Sequence, residues 1–118
     1  MPIEVKQREA QYFKNSKKIE PAYVFIKNLK DPTARQKIRA KIRKAEKGNF
    51  GQEGEGYRHI RSEIWELKIH SGPGYRVYFA IEDDKIILLL TAGNKTTQQK
   101  DIEKAEEYWL EYKSKKED

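Results

Sequence analysis

The 118-residue chain contains no cysteine, which excludes disulfides and thiolate-bound zinc. That absence fits a reducing cytosol. Histidine is scarce as well: His59 and His70 are the only two. Neither lies near a His/Cys/Asp cluster, so no metal site and no cofactor is implied. No apolar run is long enough to span a membrane, and no signal-peptide core follows Met1. A cytoplasmic protein is expected. There is no GxSxG nucleophile motif, and no carboxylate pair suggests glycosidic chemistry. The glycine-rich stretch from Asn49 to Gly56 lacks the strand before it and the helix after it that a phosphate loop requires, so it reads as a flexible connection. With no internal repeat and no low-complexity linker, residues 1–118 form one domain by size.

Charge is what the chain has in excess. Charged residues make up 37% of it, and the formal net charge is +6. A basic surplus on a small domain favours polyanionic partners, chiefly nucleic acid, and also promotes solubility. Much of it falls on one segment. Asp31-Pro32 is a helix start, with Asp as cap and Pro in the first turn. Ala34, Ile38, Ile42 and Ala45 then recur at helical spacing as a narrow apolar stripe. Around it stand Arg35, Lys37, Arg39, Lys41, Arg43, Lys44 and Lys47, against the single acid Glu46, until Gly48 ends the helix. Such a face is either simply solvated or a phosphate-tracking surface.

The segment from Ile64 to Lys95 holds three apolar-rich runs, cut by Ser71-Gly72-Pro73-Gly74 and Glu82-Asp83-Asp84-Lys85. This is the pattern of a three-stranded antiparallel meander. Alternation puts Trp65, Leu67, Ile69, Val77, Phe79 and Ile81 on one face. The register that keeps this face apolar throughout places Ile69 across from Val77, His70 from Arg76 and Lys68 from Tyr78, with Ser71 to Tyr75 in the loop. A tight turn at Asp83-Asp84 sets Ile81 across from Ile86 and Arg76 across from Thr91. The other face then carries Lys68, His70, Arg76 and Thr91 at one end, with Lys95 just beyond. The run from Ile86 to Leu90 is apolar on both faces and reads as a central strand.

The flanks complete an α+β domain. Ile3 to Phe13 alternates weakly, as an edge strand does. Lys14 to Glu20 is a polar link. Pro21 opens a short helix with Ala22, Phe25, Ile26 and Leu29 inward. Tyr57 to Ser62 is a short strand before the meander. Thr96 or Thr97 caps a last helix with Ile102, Ala105, Trp109 and Tyr112 inward, and Ser114 to Asp118 is a frayed charged tail.

Lys68, His70, Arg76 and Lys95 thus gather at the mouth of a small sheet. Cations so placed bind a phosphodiester and stabilise charge building on it. RNA supplies its own nucleophile, the 2′-OH, so cleavage needs only a base, an acid and cations; His70 transfers protons near neutral pH. A purely structural reading competes: Arg76 pairs with an acid such as Glu66, His70 bonds to turn backbone, and Lys68 is an ordinary outward lysine.

In this order the chain carries Asp31-Pro32 with its basic helix, Gly48-Asn49-Phe50-Gly51, Glu66-Leu67-Lys68-Ile69, Gly72-Pro73-Gly74-Tyr75-Arg76-Val77-Tyr78-Phe79, Leu88 to Lys95, and Gln98 to Ala105. From Pro21 to Tyr112 it resembles the phage-derived Gp49-like, HigB-like branch of the RelE/ParE toxin superfamily. The resemblance implies a RelE-like fold: two N-terminal helices packed on a small antiparallel sheet, here a three-stranded meander plus an N-terminal edge strand, with a C-terminal helix. It implies the toxin of a type II toxin–antitoxin pair, partnered by an antitoxin encoded next to it. RelE-like members cut mRNA on the ribosome without a metal. Carried over by position, Arg76 and Lys95 stabilise the phosphate and the transition state, and Lys68 abstracts a proton or stabilises charge. His70 is a further acid or base. Arg35, Arg39, Arg43, Lys47, Arg58 and Arg61 are the RNA-binding candidates, and an apolar strip of Tyr78, Ile87 and Leu89 is the antitoxin-contact candidate. Two positions depart from the RelE pattern. Glu66 stands where that pattern has a second lysine, and Thr96 to Asp101 lacks its tyrosine; Tyr78 or Tyr112 is the candidate to substitute by proximity. ParE-like relatives inhibit DNA gyrase instead of cutting RNA, and an inactive RNA-binding member is a third reading.

Overall fold

The computed structural model describes residues 3–117, with the side chain of Glu117 left aside. Strand β1 spans Glu9–Tyr12; helices α1 (Pro21–Asn28) and α2 (Pro32–Glu46) follow. Next come β2 (Tyr57–Arg61), β3 (Ile64–Ile69), β4 (Tyr75–Glu82) and β5 (Ile86–Asn94), and finally α3 (Gln98–Glu117). The strands form one five-stranded sheet in the order β1-β5-β4-β3-β2. The sheet is mixed, not purely antiparallel, because β1 runs parallel to β5. The two helices between β1 and the meander permit that, since a parallel pair needs a long crossover. It is also wider than a meander with one edge strand, because β2 adds antiparallel to β3.

Local signals explain the helices. Asp31 accepts a hydrogen bond from Thr33 N at 3.0 Å, with Pro32 in the first turn of α2. Gly48 closes α2 with φ +94°, and the amides of Gly48 and Asn49 return to the carbonyls of Ala45 and Lys44. The cap before α3 is Asn94 rather than Thr96 or Thr97. Its Oδ1 accepts from both of their amides across the 3-10 turn Lys95–Thr97. The stretch from Ser114 to Glu117 continues α3 instead of fraying, while Asp118 lies outside the described residues.

One face of the sheet is covered by α1 and α2. Ala22, Ile26, Ala34, Ile38, Ile42 and Ala45 pack there on Leu67, Ile69, Val77, Phe79, Ile87 and Leu89. The opposite face is covered by α3, whose Ile102, Ala105 and Trp109 pack on Phe13, Ile64, Tyr78, Ala80, Leu88 and Leu90. Each fully buried Val, Leu, Ile or Phe among them contributes about 1.5–3 kcal/mol.

The register differs from expectation at both turns. Between β3 and β4 it slides by two residues: Lys68 faces Arg76, Glu66 faces Tyr78 and Ile69 faces Tyr75. Between β4 and β5 a three-residue connection, Asp83 to Lys85, replaces the tight turn, and both aspartates take positive φ. Ile81 therefore faces Ile87, not Ile86. A bulge then lets Tyr78 face Thr91 and Phe79 face Leu89, so Arg76 faces Gly93, not Thr91.

The lone acid of α2 has a defined task. Glu46 Oε2 accepts from Ala10 N at 2.9 Å and its carbonyl from Arg8 N at 2.8 Å, which satisfies an amide of β1 and one just before it on the side away from β5.

At the far end of β4, Glu82 accepts from Tyr112 Oη at 2.7 Å and Lys116 Nζ at 2.8 Å. Burial alone raises the Glu82 carboxyl, but these bonds and the Lys116 charge outweigh it, leaving its pKa below the ordinary value. A depressed carboxyl stabilises the fold above its unfolded pKa, and the contribution is lost as pH falls through the folded value. Glu82→Gln is expected to cost about 1–2 kcal/mol at neutral pH. Urea denaturation across an acid pH series should show that difference shrinking toward zero.

Candidate functional site

Lys68 and Glu66 are two residues apart on β3, so both point to the α3 side of the sheet. Arg76 on β4 and Arg58 on β2 point the same way, since Lys68 faces Arg76 and Glu66 faces Arg58. Glu66 is fully buried. Arg58 Nε donates to its Oε1 at 3.0 Å, and Gln98 Nε2, from the first turn of α3, donates to its Oε2 at 3.0 Å. Arg76 Nε lies 3.4 Å from Oε2 as an ion pair, without the geometry of a hydrogen bond. The guanidinium side chain is only 15% exposed, so it is held against the sheet. The Tyr78 hydroxyl is buried beside the same carboxylate. Burial, then the Glu66 charge, pushes that phenol far above its ordinary pKa, against the opposing pull of Arg76.

The glycine-rich connection is a support rather than a slack loop. Lys68 Nζ donates to Gly54 O at 2.9 Å, and Lys68 N to Gly56 O at 2.8 Å. His70 Nε2 bonds to Glu55 O at 2.9 Å. A carbonyl only accepts, so Nε2 carries the hydrogen and the neutral ring keeps its lone pair on Nδ1. His70, Ser71 to Gly74, Arg76 and Lys95 line an open cleft of about 460 Å³. Lys95 is exposed, and its amide is tied to Gly74 O at 3.2 Å. The structure thus gathers His70, Arg76 and Lys95 around one cleft, with Lys68 on the strand beside Arg76.

Gln98 and Asp101 escaped the sequence reading, which named Glu66 as a candidate partner of Arg76, the pairing found here. Asp101 is tied to Thr97 Oγ1 at 2.5 Å and lies directly over Gly93, the residue facing Arg76. A Cβ at Gly93 would collide with the Asp101 carboxylate and stand 2.6 Å from Thr97 Oγ1. Burial raises the Asp101 carboxyl pKa, opposed by the Thr97 bond. The one signal in the sequence was Gly93 itself, a glycine in a strand followed by an acid in the first turn of a helix.

The other expected residues disperse. Arg35, Arg39, Arg43 and Lys47 belong to or just follow α2, which packs on the opposite face of the sheet from Lys68 and Arg76. The Arg35 guanidinium is bound to the Leu29 carbonyl. Arg58 joins the Glu66 cluster, and Arg61 pairs with Glu106 of α3 at 2.7 Å. Tyr78, Ile87 and Leu89 form no exposed strip: all three are buried, Tyr78 beneath α3 and the other two beneath α1 and α2. The slipped turn after β4 moves Ile87 and Leu89 to the face opposite Tyr78. Neither tyrosine stands in for the missing one. Tyr78 has no exposed surface, and Tyr112 is spent on Glu82, about 20 Å along β4 from Arg76 at strand rise.

Two outcomes follow from this geometry. Glu66→Ala leaves Arg76 unpaired in a largely buried position and should cost about 3 kcal/mol in denaturant unfolding. Gly93→Ala should cost about 2 kcal/mol by overpacking. Combined with Asp101→Ala it should cost clearly less than the sum of the single changes, the signature of direct contact in a double-mutant cycle.

Residues 25–109 match the family described as "Phage derived protein Gp49-like (DUF891)". An uncharacterized protein of Haemophilus influenzae is 38% identical over 81 residues, which cover 69% of this chain and 78% of that protein. Among the described residues no helix is long and apolar enough to cross a membrane. The motifs of β3 to α3 that build the cleft lie inside the matched segment, and the chain belongs to the phage-derived Gp49-like family, a RelE/HigB-like family whose members are often toxins of toxin–antitoxin pairs.

Proposed function

We propose that this protein is the toxin of a type II toxin–antitoxin pair, with a RelE-like fold, and cuts mRNA on the ribosome in the cytoplasm. The observation that carries the reading is the gathering of His70, Arg76 and Lys95 around one open cleft with Lys68 beside Arg76. In this reading a phosphodiester enters the cleft between Arg76 and Lys95. The substrate's own 2′-OH attacks the adjacent phosphorus, and His70 Nδ1 accepts the proton it loses. The bond to the 5′-oxygen breaks, and that oxygen takes up a proton from the His70 imidazolium. Arg76, Lys95 and Lys68 offset the charge building on the phosphoryl oxygens.

Glu66 gives this chain its own variant of the site. Where the RelE pattern supplies another cation, a buried carboxylate orients Arg76 and Arg58 from beneath. The protein therefore relies on fewer, better-fixed charges. Arg58 adds a partly exposed cation at the margin, and the α2 cations suit contact with ribosomal RNA on the other side of the molecule.

The test is induction of wild type and Arg76→Ala in a bacterial host, with primer extension on an abundant translated message. Cuts should appear with the wild type, vanish when translation is blocked, and fall about 100-fold or more in the variant. Circular dichroism should show the variant folded, because Glu66 retains Arg58 and Gln98. Growth arrest by the wild type with message intact would overturn the nuclease reading in favour of gyrase inhibition.

A further inference from the structure

The sheet ends in two edge strands that share no pairing, β1 and β2, and the segment before β1 joins them. Residues 3–8 lead away from β1 at Glu9 and reach Tyr57 of β2, whose Oη accepts from Ile3 N at 3.4 Å. Four interstrand gaps of about 4.8 Å lie between those edges, and six residues at full extension cover about 20 Å, enough to cross them. The arm is clamped at its β1 end. The Arg8 side chain is only 1% exposed, and its Nη2 donates to Asp84 Oδ1 of the β4–β5 connection at 2.8 Å. Lys6 Nζ pairs with the other oxygen of the same carboxylate, and Arg8 Nη1 donates to Glu4 O at 3.0 Å. A guanidinium so buried needs its counter-charge, so Asp84 fixes the arm. Midway the arm presses on the end of α2: a Cβ at Gly48 would stand 2.9 Å from Lys6 N and 3.0 Å from Lys6 O.

At its tip the arm meets the base of the glycine-rich connection. Ile3 and Val5, with Lys47 to Gly51 and Tyr57, line a hollow of about 360 Å³. Tyr57 O in turn accepts from Gly54 N at 2.7 Å. The two ends of the connection touch: a Cβ at Gly56 would stand 2.9 Å from Gly51 Cα and 2.7 Å from Phe50 O. Between them lie the carbonyls of Gly54 and Glu55 that, with Gly56 O, hold Lys68 and His70. Glycine backbone is costly to order, so a loop this rich in it keeps one shape only if its base is held. Phe50 holds it from within, stacked on Phe79 at 5.5 Å. The arm holds it from outside. Contact therefore runs from Asp84 through the arm, Tyr57 and the loop to Lys68 and His70. We propose that residues 3–8, locked by Asp84, are a positioning element for Lys68 and His70. The proposal rests on the toxin reading only in giving those two residues a catalytic task. It assigns the arm an effect along the whole sheet, because Asp84 follows β4 at the end opposite Arg76.

The test is amide hydrogen exchange and 15N relaxation on the labelled full chain, in wild type, Asp84→Asn and Ile3→Gly. Asparagine suits the left-handed φ of +58° at Asp84 but removes the charge. Ile3→Gly loosens the other end of the arm and leaves Arg8 its partner. In each variant the Lys68 amide, bonded to Gly56 O, should exchange about tenfold faster through local opening. The 1H–15N NOE of Gly54, Glu55 and Gly56 should fall, while amides of β4 and β5 keep their wild-type rates. An unchanged loop and Lys68 amide in either folded variant would overturn the proposal. So would β4 and β5 amides that accelerate by the same factor as Lys68, since that is a general loss of stability. The mRNA cleavage assay is read separately. A silent wild type there sinks the toxin reading and leaves the exchange result standing. Full cleavage by a variant whose loop has loosened sinks the catalytic task of Lys68 and His70, and the arm remains their support.

Discussion

A carboxylate without solvent contact is tolerated only when its charge and lone pairs are met by the protein. Glu66 is such a group, and the working end of the sheet is arranged to meet it. Arg58 reaches it from β2, Arg76 from β4 and Gln98 from α3. Three separate elements are thereby fixed relative to β3 by one side chain. The same contact sets the position of Arg76, whose guanidinium is held down at the edge of the cleft instead of waving from the surface. Compared with a lysine at this position, the acid lowers the local charge by two units, and it trades electrostatic strength for orientation.

The two faces of the sheet carry different chemistry because each helix layer ends in a different place. On one side α3 covers the sheet from its Gln98 turn onward, with Asp101 set over Gly93, and leaves Lys68 and Arg58 part exposed. On the other side α1 and α2 close the apolar core completely and turn a basic, partly apolar surface outward. The bulge between β4 and β5 makes this division possible. It reverses the inward–outward alternation once, so that Leu88 and Leu90 point to α3 beside the turn while Gly93 also does so at the cleft end.

Much of this was legible in the residues. The caps at Asp31 and Gly48, the stripe through Ala34, Ile38, Ile42 and Ala45, and the alternation of β3 and β4 each encode a local preference, and local preferences survive folding here. The β3–β4 register lies two residues from the one that alternation favours, a shift alternation cannot detect because it leaves every side chain on the same face. The β4–β5 error was of one residue and did change faces. It turned Ile87 and Leu89 from an imagined docking strip into core. Its cause is the conformation of Asp83 and Asp84, both at positive φ in a connection one residue longer than a tight hairpin turn.

The candidate site divides along the same line. Composition and pattern determined a basic α+β domain, the strands that bear Lys68 and Arg76, and the nearness of His70 and Lys95 to the ends of those strands, since these depend on short-range sequence alone; that His70 lies just past β3 instead of facing Arg76 was not among them. Tertiary structure decided which of the cations meet. It bound Lys68 and His70 to the Gly54-Glu55 carbonyls, put the α2 arginines behind the sheet, and made Glu66 the buried anchor of Arg76. Those outcomes depend on register and on what covers each face, and both are set by contacts between residues far apart in the chain.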